Sequence, residues 1–162
     1  MLEIVTYGHE ALAKKAEAVT EFGAELAAFV DELYGSMKTG KGIGLAAPQV
    51  DRNIRIFVTG ADGDKLRVFI NPEIVQTSPE EVDYEEGCLS LPGLYTMVRR
   101  PELVKIQAWN EKGRPFTLEA SGLLARVILH ENDHLNGILF IDRLPAARRE
   151  RAMAHYRRLL RM

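Results

Sequence analysis

A chain of 162 residues with 46% hydrophobic and 27% charged side chains carries enough apolar material for a packed interior, unlike a disordered segment. Its formal net charge of −2 offers no basic excess for nucleic acid, and no run of about 18 apolar residues offers a membrane span. The only cysteine, Cys88, excludes an intramolecular disulfide, and MLEIVTYGHE lacks a secretory n-region, so one cytoplasmic domain, 1–162, is expected.

Residues 23–37 place Leu26, Phe29, Val30, Leu33 and Met37 at helical spacing, predicting an amphipathic N-terminal helix that TGKGIG ends. Ile54, Ile56 and Val58 then alternate with Arg55 and Phe57 as a strand, and ADGD at 61–64 reads as a hairpin turn. Strand character resumes at 67–76, where Pro72 predicts an edge or a break. Residues 81–91 are mixed. Val104, Ile106 and Ala108 alternate cleanly with Lys105 and Gln107, NEKG turns the chain, and 115–120 returns as a partner strand. Ser121 is the expected N-cap of a helix running to about Gly137, and a last amphipathic helix covers 145–161. This order is α+β with mainly antiparallel sheet.

HENDH at 130–134 puts His130 and His134 one turn apart on one helix face, where two imidazoles can reach a single ion and Glu131 can address a water beside it. Chance spacing on a surface helix is the plain alternative. Leu123 and Val127 share that face, however, and would set an apolar wall beside the ion. In zinc-protease helices a third histidine follows six residues past the second, but here that position holds Phe140. Glu150, the only carboxylate of the last helix, lies in a solvated Arg-rich stretch. Cys88 is the better third ligand, because a thiolate binds borderline metals strongly, although a lone cysteine can equally be a small buried hydrophobe. Gly87 lets the backbone come close, and Leu89, Leu91 and Pro92 offer an apolar shell. Three protein ligands leave a position open, which favours catalysis over a structural metal. The helix would then be the central metal-binding element around which the sheets pack.

Three separated segments, GIGLAAPQ at 42–49, EGCLS at 86–90 and HENDH at 130–134, resemble the three signature motifs of the peptide deformylases. Enzymes of this family remove the formyl group from the initiator methionine of new bacterial and organellar chains. The resemblance implies one divalent metal ion on Cys88, His130 and His134, with Fe2+ the ion it favours and Zn2+, Ni2+ or Co2+ compatible with the ligands. It implies Glu131 as general acid/base, and the Gln49 side chain and Leu89 backbone N–H as donors to the developing oxyanion. The backbone at Ile43 and Gly44 would pair with N-formylmethionyl peptides as an added strand, and Leu123 and Val127, with Ile43, would wall the methionine side chain. Departures from the family pattern are Leu129 in place of glutamine, Asp51 in place of glycine, TYGHEALAKK in place of a proline-containing segment, and Tyr95 in place of arginine.

Other readings are weaker. A small zinc metallopeptidase of the HExxH type would need a ligand where Phe140 stands, and a structural metal would need a fourth protein ligand. GIGLAAP lacks the Lys-Ser/Thr that closes a phosphate loop and follows no βαβ strand. The Arg-rich tail, Arg148, Arg149, Arg151, Arg157, Arg158 and Arg161, is either a solvated helix face or a contact with the ribosome surface. His9 and His155 match no motif.

Overall fold

In the computed structural model, which describes residues 2–162, the first apolar stripe becomes helix α1 (Ala24–Thr39), with Leu26, Phe29, Val30, Leu33 and Met37 all buried. Each such side chain contributes roughly 1.5–3 kcal/mol when removed from water. The helix ends where the glycines predict, but the left-handed residue is Lys41 (φ 60) and not a glycine. Gly40 and Gly42 serve a different need: a Cβ there would come within 3.0 and 2.8 Å of the Leu89 Cδ1.

Among the described residues, seven strands form two sheets. The larger has the order β1 (Gly44–Ala46), β2 (Ile56–Thr59), β3 (Arg67–Thr77), β6 (Leu103–Trp109), β7 (Pro115–Ser121), with every neighbouring pair antiparallel. Its β1–β3 part is covered by α1 on one face, where Leu45, Ile56, Val58 and Ile70 join the helix stripe. The opposite face packs Phe57, Phe69, Ile106 and Ala108 against Ala125 and Ile128 of helix α2 (Gly122–His134). All of β2 is therefore buried, whatever its sequence alternation, and Ile54 lies outside it in a single parallel bridge to Glu17. The α+β class and the central position of the histidine helix stand as expected.

Three local expectations are corrected. Pro72 neither ends β3 nor marks an edge, because a register shift between Ile70 and Glu73 bulges the strand there. Asn71 takes φ 49 in that bulge, so the missing proline N–H disturbs no ladder bond. Ser121 occupies the N-cap position without capping: it is still extended as the last residue of β7, and Gly122 (φ 58) makes the turn. The helix closes at His134, not Gly137. Gly137 follows in a turn at φ 73, and a Cβ on it would lie 2.7 Å from the Ala13 carbonyl oxygen. Gly137→Ala is expected to lower stability by at least about 1–2 kcal/mol, read as an earlier denaturant midpoint; an unchanged midpoint would contradict this packing.

The second sheet, absent from the sequence reading, is a hairpin of β4 (Glu81–Cys88) and β5 (Leu91–Pro101). Residues 81–85 are all exposed, so β4 shows no apolar alternation to read. Leu91, Leu94 and Val98 of β5 pack with Leu139, Phe140 and Ile141, and with Met153 and Tyr156 of helix α3 (Ala146–Leu160). Two of the tail arginines are used within the fold: Arg148 donates to the Met97 carbonyl at 2.6 Å, and Arg149 pairs with Asp142 at 3.1 Å. Among the described residues no helix is long and apolar enough to cross a membrane.

Candidate metal centre and active site

Helix α2 turns His130 and His134 toward the end of β4, where Cys88 precedes a two-residue turn, Leu89 and Ser90. One ligand atom from each of Cys88, His130 and His134 lies within 4.8 Å of the others. The Cys88 Sγ is 3.3 Å from the His134 Nε2, and the two imidazole rings are 5.2 Å apart. Burial holds the His134 pKa well below the ordinary histidine value, with the charges of His130 and Arg100 adding to it. A neutral imidazole is the form that ligates a metal. Phe140, standing where a zinc-protease helix would supply its third ligand, lies against the His130 ring with centroids 5.8 Å apart. The apolar shell around Cys88 includes Leu91 but not Pro92, which is exposed, and the space that Gly87 leaves is taken by the Tyr95 ring.

Glu86 is the residue the sequence reading passed over. Two positions before Cys88, it shares a strand face with it, a relation visible only once β4 is seen to be a strand. Its carboxylate is buried and contacts the His130 Nδ1 at 2.8 Å. It also accepts from Arg100 at 2.6 and 3.0 Å and from Arg126 at 2.8 Å. Burial alone would push this carboxyl up, but the bonds from His130 and Arg100 outweigh it and hold the pKa at about 2. Arg100 continues to Asp133 at 2.8 Å, which Arg143 closes from the surface with bonds of 3.0 and 2.7 Å. A carboxylate on the far nitrogen of a ligating histidine fixes its tautomer and ring angle. Glu86 is placed to do this for His130.

Glu131 is buried beside the three ligands, its Oε2 3.9 Å from the His130 Nε2 and its Oε1 without a partner. Burial pushes its carboxyl up to about 7, with Glu86 and Asp133 adding to the rise while His130 and Arg100 oppose it. Such a group exchanges protons near neutral pH. Gly44 lies directly over it: a Cβ there would come 2.6 Å from the Glu131 Oε2 and 2.8 Å from the Val127 Cγ1. Gly44→Ala is therefore expected to displace the Glu131 carboxylate and lower turnover about 10²-fold, while metal content, measured by elemental analysis, stays at the wild-type level.

The remaining predicted residues meet around one cavity of about 750 Å³. Ile43, Gly44, Gln49, Cys88, Leu89, Leu123, Val127, His130 and Glu131 all line it, and His134 lies beneath, almost fully buried. β1 is an edge strand: the Ile43 carbonyl accepts from the Gly60 N–H at 2.8 Å, so by alternation Gly44 turns its own N–H and carbonyl to the open side. Gln49 sits in the 3₁₀ turn Ala47–Val50 and is buried. Asp51 closes that turn at φ 61, the conformation for which glycine is common. Tyr84, Tyr95 and Arg126 extend the lining beyond the residues foreseen.

The donor set fits a single divalent ion. A thiol and two imidazoles converge, the second imidazole is held neutral, and three protein ligands leave one position open. With a free buried carboxylate alongside, on an antiparallel α+β scaffold, fold and site define a small metal-dependent hydrolase. Residues 1–150 match the family model of polypeptide deformylase. Peptide deformylase of Treponema pallidum is 44% identical over 155 residues, covering 96% of this chain and 95% of that protein. That of Chromobacterium violaceum is 48% identical over 153 residues, covering 93% and 91%. The crystal structure of peptide deformylase from Thermus thermophilus matches with a TM-score of 0.93 at 39% identity, over 97% of this chain and 93% of that one. The chain belongs to the peptide deformylase family.

Proposed function

We infer that this chain is a peptide deformylase, a single catalytic domain over 1–162 that hydrolyses the N-terminal formyl group of formylmethionyl nascent polypeptides and releases formate. The observation that carries this reading is the convergence of Cys88, His130 and His134 beside the Glu131 carboxylate, whose Oε1 has no partner, at the base of an apolar-walled cavity. Cys88, His130 and His134 would hold the ion, with ferrous iron the species proposed and zinc, nickel or cobalt compatible with the same donors. When bound, it supplies Lewis-acid polarisation and lowers the pKa of water enough for attack near neutrality.

The protein groups do the rest. Leu123, Val127 and Ile43 receive the unbranched methionine side chain, and the open edge at Gly44 aligns the peptide backbone as an added strand. This places the formyl carbon over Glu131. Glu131 takes the proton of the attacking water and returns it to the departing amine, leaving formate and a free N-terminus. The Gln49 Nε2 and the Leu89 N–H donate to the carbonyl oxygen as it gains charge, an interaction worth about 3–4 kcal/mol per good donor. A substrate made on the ribosome and a lone thiol support a cytoplasmic location, and exposed Arg151, Arg157, Arg158 and Arg161 are the face we assign to any ribosome contact. No observation favours an endopeptidase, because Phe140 fills the position of the third ligand such helices use.

The test is anaerobic purification with metal analysis, followed by formate assay on a formyl-Met peptide and its acetyl-Met counterpart. Formate is expected from the first and no turnover of the second. Metal-loaded protein that releases no formate would overturn the reading.

A further inference from the structure

Gln49 carries a side-chain amide with an acceptor end and a donor end, and only one orientation presents a donor to the cleft. Its Oε1 accepts from the Ala46 N–H at 3.0 Å, and because a backbone N–H can only donate, the oxygen must face that way. The Nε2 then points oppositely, with one hydrogen on the Ser90 Oγ at 3.1 Å and the other toward the Cys88 Sγ at 3.5 Å. Ser90 is completely buried and Gln49 nearly so, so the bond to Ser90 lies away from solvent while the contact to Cys88 borders the cleft. The N-terminal segment fixes both residues a second time: the Val5 N–H donates to the Gln49 carbonyl and the Tyr7 N–H to the Ser90 carbonyl, each at 2.8 Å. One extended segment thus ties the 3₁₀ turn that carries Gln49 to the β4–β5 turn that carries Ser90.

We propose that Ser90 is a positioning residue for catalysis: its hydroxyl occupies one hydrogen of the Gln49 amide and thereby aims the other at the reacting carbonyl oxygen beside Cys88. The proposal rests on the reading of Gln49 as an oxyanion donor. The weaker of the two Nε2 contacts, the one to sulfur, is the one a substrate oxygen displaces. The Ser90 bond remains in place throughout the reaction and keeps the amide from rotating as charge develops. With Ser90→Ala, the Nε2 keeps an unpaired hydrogen in a dry site and turns to find a partner.

The test is a double-mutant cycle on formyl-Met peptide hydrolysis with Ser90→Ala, Gln49→Ala and the double variant, each checked for metal content and thermal midpoint. Gln49→Ala is expected to lower kcat by about 10²–10³-fold, the effect of removing one oxyanion donor. Ser90→Ala alone should lower kcat about tenfold at unchanged KM and metal content, as expected of a donor left in place but misaimed. Added to Gln49→Ala, it should change kcat by less than about twofold, because a residue acting through another has no effect once that one is gone. Unchanged kcat in Ser90→Ala, or an equal loss in both backgrounds, would overturn the positioning role. If instead Gln49→Ala keeps full kcat, it is the oxyanion assignment that fails, and the proposal with it.

Discussion

Glu131→Ala is expected to bind a full equivalent of metal and to lose turnover by about 10²–10⁴-fold, the usual contribution of a positioned general acid/base. The geometry separates the two properties. Glu131 sits beside the ligand atoms but outside the group of Cys88, His130 and His134, and one of its oxygens has no protein partner. Its place under Gly44, lining the cleft, suits the proton-carrier role proposed for it. Cys88→Ala should behave in the opposite way, losing metal first and activity as a consequence. Elemental analysis with a formate assay on the two variants resolves the roles. Full metal retention by Cys88→Ala would remove the third ligand, and metal loss in Glu131→Ala would make that carboxylate a ligand after all.

The second large effect is expected at Glu86. Replacing it with alanine leaves Arg100 and Arg126 buried with one anionic partner fewer, and breaking a buried ion pair in this way costs about 3–5 kcal/mol. Calorimetry should show this as a fall in melting temperature of roughly 6–20 °C for a chain of this size. The same change frees the His130 ring, whose Nδ1 would have no carboxylate to hold it, and metal affinity should fall about 10–100-fold. Titration against a competing chelator at a temperature where the variant is folded separates the two effects. A destabilised variant with wild-type metal affinity would confine Glu86 to structure.

These two residues also show what the amino-acid sequence discloses and what it withholds. Glu131 was legible because helical spacing is local: His130 and His134 one turn apart define a face, and the carboxylate between them follows. The same holds for the α1 stripe and for Val104, Ile106 and Ala108 in β6, where burial follows the period closely. Glu86 was not legible as a support, because its partners lie 14 to 44 residues away and a carboxylate on a strand ordinarily signals solvent. Its hairpin was hidden for a related reason: β4 borrows its stability from pairing with β5, so five exposed residues in a row carry no pattern. The burial of Gln49 was not legible, because composition cannot show that the Ala46 N–H and the Ser90 hydroxyl hold its amide. Gly44 and Gly87 were read for backbone freedom or approach, whereas both are small to make room, for Glu131 and Val127 in one case and Tyr95 in the other.

The open side of β1 has one further consequence. A strand with unpaired N–H and carbonyl groups will accept any extended chain, including the edge of another protein's sheet, and such edges seed aggregation. This one is only three residues long and forms part of the wall of a concave cleft. An edge this short, set in a cleft wall, offers room to pair with one extended peptide and little for a second sheet. If the edge at Gly44 takes the peptide as proposed, the shortness that suits it to one chain also makes it a poor template for joining two folded copies.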